Sequence, residues 1–68
     1  MNKKLGVEIT EEFLVRTAEY LSRSIDFLGH LIEHMEGNGY SEIEVKRAKK
    51  AREATIAAYN AVQGVQIL

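Results

Sequence analysis

The sequence predicts an all-α fold, an antiparallel two-helix hairpin that oligomerises into a four-helix bundle or a larger helical assembly. Three observations predict it. The 68 residues include no Pro and are 46% hydrophobic, with Ala prominent, which suits uninterrupted helices. Apolar residues recur at steps of four and three over two long stretches. Between those stretches, Gly37-Asn38-Gly39-Tyr40-Ser41 carries a helix stop followed at once by a helix start. A chain of this length holds one domain, and such a core rarely supplies more than about 3–5 kcal/mol unless disulfides, a metal or further copies add to it.

Residues 1–10 read as an N-terminal arm. Leu5, Val7 and Ile9 alternate around Gly6, as in a short extended segment lying on a neighbour or in a frayed end. The hairpin domain occupies 11–68. Thr10 is placed to cap its first helix, with Glu11 and Glu12 set against the helix dipole and Ile9 and Leu14 at staple positions. Helix 1 is expected from about 11 to about 36. Its inner stripe is Leu14, Ala18, Leu21, Ile25, Leu28, Ile32 and Met35. Beside it run Phe13, Tyr20, Phe27 and His34, spaced by seven, with Thr17, Ser24 and Leu31 between the two rows. One partner helix cannot cover so wide an arc, so a second partner surface is expected.

Residues 37–40 form the turn. Gly37, Asn38 and Gly39 tolerate positive φ. Ser41 and Glu44 have the spacing of a capping box, and Tyr40 and Val45 that of a staple. Helix 2 is expected over about 42–63. Its small stripe, Ala48, Ala51, Ala54, Ala58, Ala61, Val62 and Val65, is expected to receive the large side chains of helix 1. A different face holds Val45, Arg52, Ile56, Tyr59 and Gln63, flanked by Lys49. The apolar end Val65-Gln66-Ile67-Leu68 adds to a surplus of greasy surface, which self-association resolves most simply, as a dimer. Phe13, Tyr20, Phe27, Leu31, Ile56, Val65 and Leu68 are the expected interface residues.

The formal net charge of −1 and the lack of a known reading motif speak against nucleic-acid binding. No apolar run approaches a membrane span, and no apolar region follows Met1-Asn2-Lys3-Lys4 as in a signal peptide. The chain has no Cys, which fits a reducing compartment, and the expected location is the cytoplasm. His30-Leu31-Ile32-Glu33-His34 matches the zinc motif of inverzincin peptidases over its His-x-x-Glu-His core. The further ligand and the substrate cleft of those enzymes have no counterpart, so neither a metal nor any other cofactor is expected. No nucleophile–base pair stands out, and the expectation is a non-enzyme.

Lys46, Arg47, Lys49, Lys50 and Arg52 crowd the first half of helix 2. Such a cluster reads first as a solvated face paired with Glu42, Glu44 or Glu53. Arg47 points toward the Ala stripe, where a lone charge would be costly if buried. Lys49, Lys50, Arg52, Tyr59 and Arg47 are also the chain's candidate ligand residues, since cations beside an aromatic ring suit a phosphate with a stacked base. The face formed by Lys49, Arg52, Ile56 and Tyr59 equally suits an acidic partner helix.

From Ala18 to Val62 the chain resembles the small viral helical-hairpin sponges that sequester cyclic-nucleotide immune signals, the anti-CBASS and anti-Thoeris proteins. The likeness lies in a long amphipathic first helix, a short turn and the Ala-rich end Ala57-Ala58-Tyr59-Asn60-Ala61-Val62. Ala51, Thr55 and Ile56 stand where those helices often carry aromatics. The resemblance implies an oligomer in the host cytoplasm, with nucleotide pockets between subunits that use Lys50, Arg52 and Tyr59. The register of Glu44-Val45 and Ile56…Tyr59 is also similar to that of the sporulation aspartyl-phosphate phosphatases. Their Ser-Gln-Glu-Leu-Asp signature is replaced by Lys49-Lys50-Ala51-Arg52-Glu53, which argues against phosphatase activity. Two classes of function are thus expected: an oligomeric binder of a small anionic signal, or an adaptor that docks one protein partner.

Overall fold

The computed structural model describes residues 9–65 as two helices, α1 (Glu11–Gly37) and α2 (Glu42–Gln63), packed against one another as a hairpin. Local hydrogen bonds set each boundary. The Thr10 hydroxyl accepts from the Phe13 N–H at 3.0 Å and opens α1. At its other end Gly39 takes φ 76°, and the Tyr40 N–H donates back to the Met35 carbonyl at 3.2 Å. That six-to-one bond over a left-handed glycine is the Schellman stop. The Asn38 side chain adds a bond to the His34 carbonyl at 2.7 Å. Of the three residues expected to permit positive φ, only Gly39 uses it.

Ser41 then caps α2. Its hydroxyl accepts from the Glu44 N–H at 3.3 Å, while the Glu44 carboxylate accepts from the Ser41 N–H at 3.2 Å. The capping box is complete. Tyr40 remains 46% exposed, its ring 6.4 Å from that of His34.

The inner stripe of α1 faces α2 as expected. Leu14, Ala18, Leu21, Ile25 and Leu28 are half-buried, and Ile32 and Met35, each 8% exposed, are the buried pair among the described residues. The face of α2 departs from expectation. Val45, Ala48, Arg52, Thr55, Ile56, Tyr59 and Val62 are half-buried, whereas Ala51, Ala54, Ala58 and Ala61 are exposed. Of the expected small stripe, Ala48 and Val62 face α1 within the hairpin and the four alanines between them do not. Burial is favourable in proportion to apolar area, and Val45, Ile56, Tyr59 and Val62 offer far more of it than a row of methyl groups. Leu68 and residues 1–8 of the N-terminal arm lie outside the described residues.

The seam follows a heptad. On α1, Ala18, Ile25 and Ile32 occupy a, and Leu14, Leu21, Leu28 and Met35 occupy d. On α2, Val45, Arg52 and Tyr59 occupy a, and Ala48, Thr55 and Val62 occupy d. Because the helices run antiparallel, the same flanking letters lie on the same side of both. One side carries e and b: Val15 and Ser22 with Gln63, then Gly29 and Glu33 with Lys49 and Glu53, line two open grooves there. The g and c positions of both helices share the other side.

Candidate functional site: an exposed apolar face with a basic edge

On the g/c side α1 presents Thr17, Ser24 and Leu31 at g, and Phe13, Tyr20, Phe27 and His34 at c. Tyr20 is 67% exposed and Phe27 71%, with Phe13 and Leu31 near half. Alongside them α2 presents Glu44, Ala51 and Ala58 at g, and Arg47, Ala54 and Ala61 at c, all exposed. The hairpin thus carries a ridge of large side chains beside a strip of small ones, both open to solvent. Burial of large apolar side chains is the main stabilising term of a fold, so their collection on one open face marks an interaction surface.

Charge is segregated around that face. The f and c positions of the two helices carry Arg16, Arg23, His30, His34, Arg47 and Lys50 and no carboxylate. The b positions carry Glu12, Glu19, Asp26, Glu33 and Glu53 against the single cation Lys46. A net charge of −1 therefore hides a basic edge on one side and an acidic one on the other. Arg16 bonds Glu12 at 2.7 Å along the helix. Among the described residues, Arg23, Lys46, Arg47 and Lys50 form no ion pair. Arg23, Tyr20, Arg16 and Glu19 line a shallow depression on α1.

The expected ligand set divides. Arg52 is half-buried, and its Nε donates to the Ile25 carbonyl of α1 at 3.2 Å. Lys49 pairs with Glu36 at 3.2 Å, tying the start of α2 to the end of α1. Tyr59 is half-buried, and its hydroxyl accepts from Gln63 Nε2 at 2.8 Å. Each of these three is engaged within the hairpin. Arg47 and Lys50 are exposed, and because the Ala face is open, Arg47 incurs no burial cost. Ile56, expected between copies, is half-buried within the single hairpin. The face formed by Arg52, Ile56 and Tyr59 is thus the seam rather than a free surface.

Sequence reasoning missed Gly29 and Glu36. A Cβ built on Gly29 would stand 3.5 Å from Arg52 Nε, so the missing side chain leaves the guanidinium room to reach the α1 backbone. A glycine in mid-helix costs roughly 1 kcal/mol relative to alanine, and that was the available signal. His30 and His34 stand one turn apart, His30 Nδ1 at 4.0 Å from Glu33 and His34 Nδ1 at 3.3 Å from the Asn38 amide. Among the described residues no three His, Cys, Asp or Glu side chains converge as metal ligands, and no helix is long and apolar enough to cross a membrane.

No family model, curated protein or solved structure matches the chain.

Proposed function

We propose that the protein is a non-enzymatic binding module that works as a homo-oligomer and holds a small anionic ligand of nucleotide type where copies meet. The observation that carries this reading is the exposed g/c face, an aromatic ridge with Arg23, Arg47 and Lys50 along its edge, none of them ion-paired among the described residues. Aromatic faces stack on bases, and guanidinium and ammonium groups pair with phosphate oxygens. Stoichiometric capture asks for no more than such a surface. The ligand residues are Arg47 and Lys50 from the sequence-derived set, joined by Arg23 and by Phe27 or Tyr20 as the stacking ring.

Thermal melting with a panel of cyclic di- and trinucleotides and ADP-ribose isomers tests it, because a ligand bound only by the folded form raises the midpoint with its concentration. The reading expects a shift of several degrees with at least one compound, lost in Arg47→Glu/Lys50→Glu and kept in Lys49→Gln. An unchanged midpoint across the whole panel rules the ligand class out. Capture of one acidic protein by the same cations would replace it with the adaptor class.

A further inference from the structure

We infer that a second copy of this chain covers the g/c face, with α1 of each copy lying over α2 of the other and a two-fold axis parallel to the helices. This arrangement deepens the oligomeric reading above and rests on it, giving the assembly its surface, its partner and its seating.

Three observations point to a second copy. The first is the scarcity of core. Among the described residues only Ile32 and Met35 are buried, and no side chain is fully enclosed. A two-helix unit with so little enclosed apolar surface falls below what a small domain needs, and in a chain without cysteines further copies supply the missing core. The second is area. A fully buried aromatic side chain removes about 150–250 Å² from water. At 45%, 67% and 71% exposure, Phe13, Tyr20 and Phe27 keep roughly 300–450 Å² of that, and Leu31 and the alanine strip add to it, toward the roughly 800 Å² per partner of a standard interface.

The third observation chooses the seating. Phe13, Tyr20 and Phe27 repeat every seven residues along α1, and Ala51 and Ala58, with Ala54 and Ala61, repeat with the same period along α2 on the same face. A two-fold axis parallel to the helices lays the large row of one copy along the small row of the other. It places each large residue of one copy on a small residue of the other, and each contact occurs twice. An axis across the helices would instead set ridge on ridge and strip on strip, holding one helix pair apart while the other closed. The parallel axis also puts Arg23 and His30 of one copy beside Lys50 and Arg47 of the other, around Phe27. Each anionic pocket is then completed only by the second copy.

Disulfide trapping tests the seating cleanly, since the chain has no native cysteine. Ser24 and Ala54 are both exposed on this face, one on each helix. Equal amounts of full-length Ser24→Cys and Ala54→Cys chains are mixed, allowed to exchange and oxidised at micromolar concentration. The expected product is the mixed 24–54 dimer, in several-fold excess over either homodimer. A predominance of 24–24 or 54–54 homodimers overturns the seating while leaving association intact. Sedimentation of the unmodified chain as a folded monomer at the same concentration overturns both. A second measurement guards against a damaged fold: Tyr20→Ala and Ala58→Phe each weaken the dimer at least tenfold, and the two together restore it. Failure of the combination to restore association counts against the Tyr20–Ala58 contact.

Discussion

Arg52 Nε reaches across the seam to the Ile25 carbonyl at 3.2 Å, passing over the bare backbone of Gly29. The Ile25 carbonyl lies one turn before Gly29, so the arginine adds a second donor to a bond the helix already makes. One donor of the half-buried guanidinium is thereby paired without a carboxylate. The same bond also ties the middle of α2 to the middle of α1 across the seam.

Gly29→Ala should stabilise the hairpin. The added methyl meets Arg52 Nε at an ordinary 3.5 Å, and the gain in helix propensity is about 1 kcal/mol. Gly29→Leu should forgo that gain, because its larger side chain displaces the guanidinium and the lost bond costs about as much as the propensity returns. Urea denaturation at one fixed protein concentration reads both. Equal stabilisation by Ala and Leu would show that no space at Gly29 is in use.

The turn should be sensitive at Gly39 and tolerant at Gly37. At Gly39 φ is 76°, and a side chain forced into the left-handed region costs about 1–2 kcal/mol. Gly37 is the last helical residue and nothing lies within 4 Å of a Cβ there, so Gly37→Ala should be neutral or mildly stabilising. Thermal denaturation of the two alanine variants separates them, and Gly39→Ala melting at the wild-type midpoint would contradict the assignment.

Ser41→Ala removes the acceptor for the Glu44 N–H and should cost about 1 kcal/mol. Glu44→Gln keeps a side-chain oxygen for the Ser41 N–H and should cost less. Circular dichroism during denaturation gives the order, and a larger loss for Glu44→Gln would refute it.

Breaking the Lys49–Glu36 pair should matter little. Both side chains are about half exposed, and such pairs are worth under about 1 kcal/mol. The loss in Lys49→Gln should shrink further in about 1 M salt, where the screening length falls to about 3 Å. By contrast Ile32→Ala, at one of the two buried positions, should cost about 2–5 kcal/mol and leave little cooperative melting. A mild effect at Ile32 would mean that the seam is not the core.

The sequence by itself determined where the helices start and stop, because Thr10, Gly39, Ser41 and Glu44 act through hydrogen bonds to residues within one turn. It also determined the inward stripe of α1, whose Leu, Ile and Met side chains leave no rival face with as much area to bury. On α2 two stripes share one helical period, the alanines and the Val45–Tyr59 row, and periodicity cannot rank them. Only the tertiary structure decided between them, through the area each removes from water against α1 and the reach of Arg52 past Gly29. That choice turned the alanines outward, onto the same side as Tyr20 and Phe27. A shared side depends on how two helices are rotated against one another, and no pattern read along a single helix contains that angle.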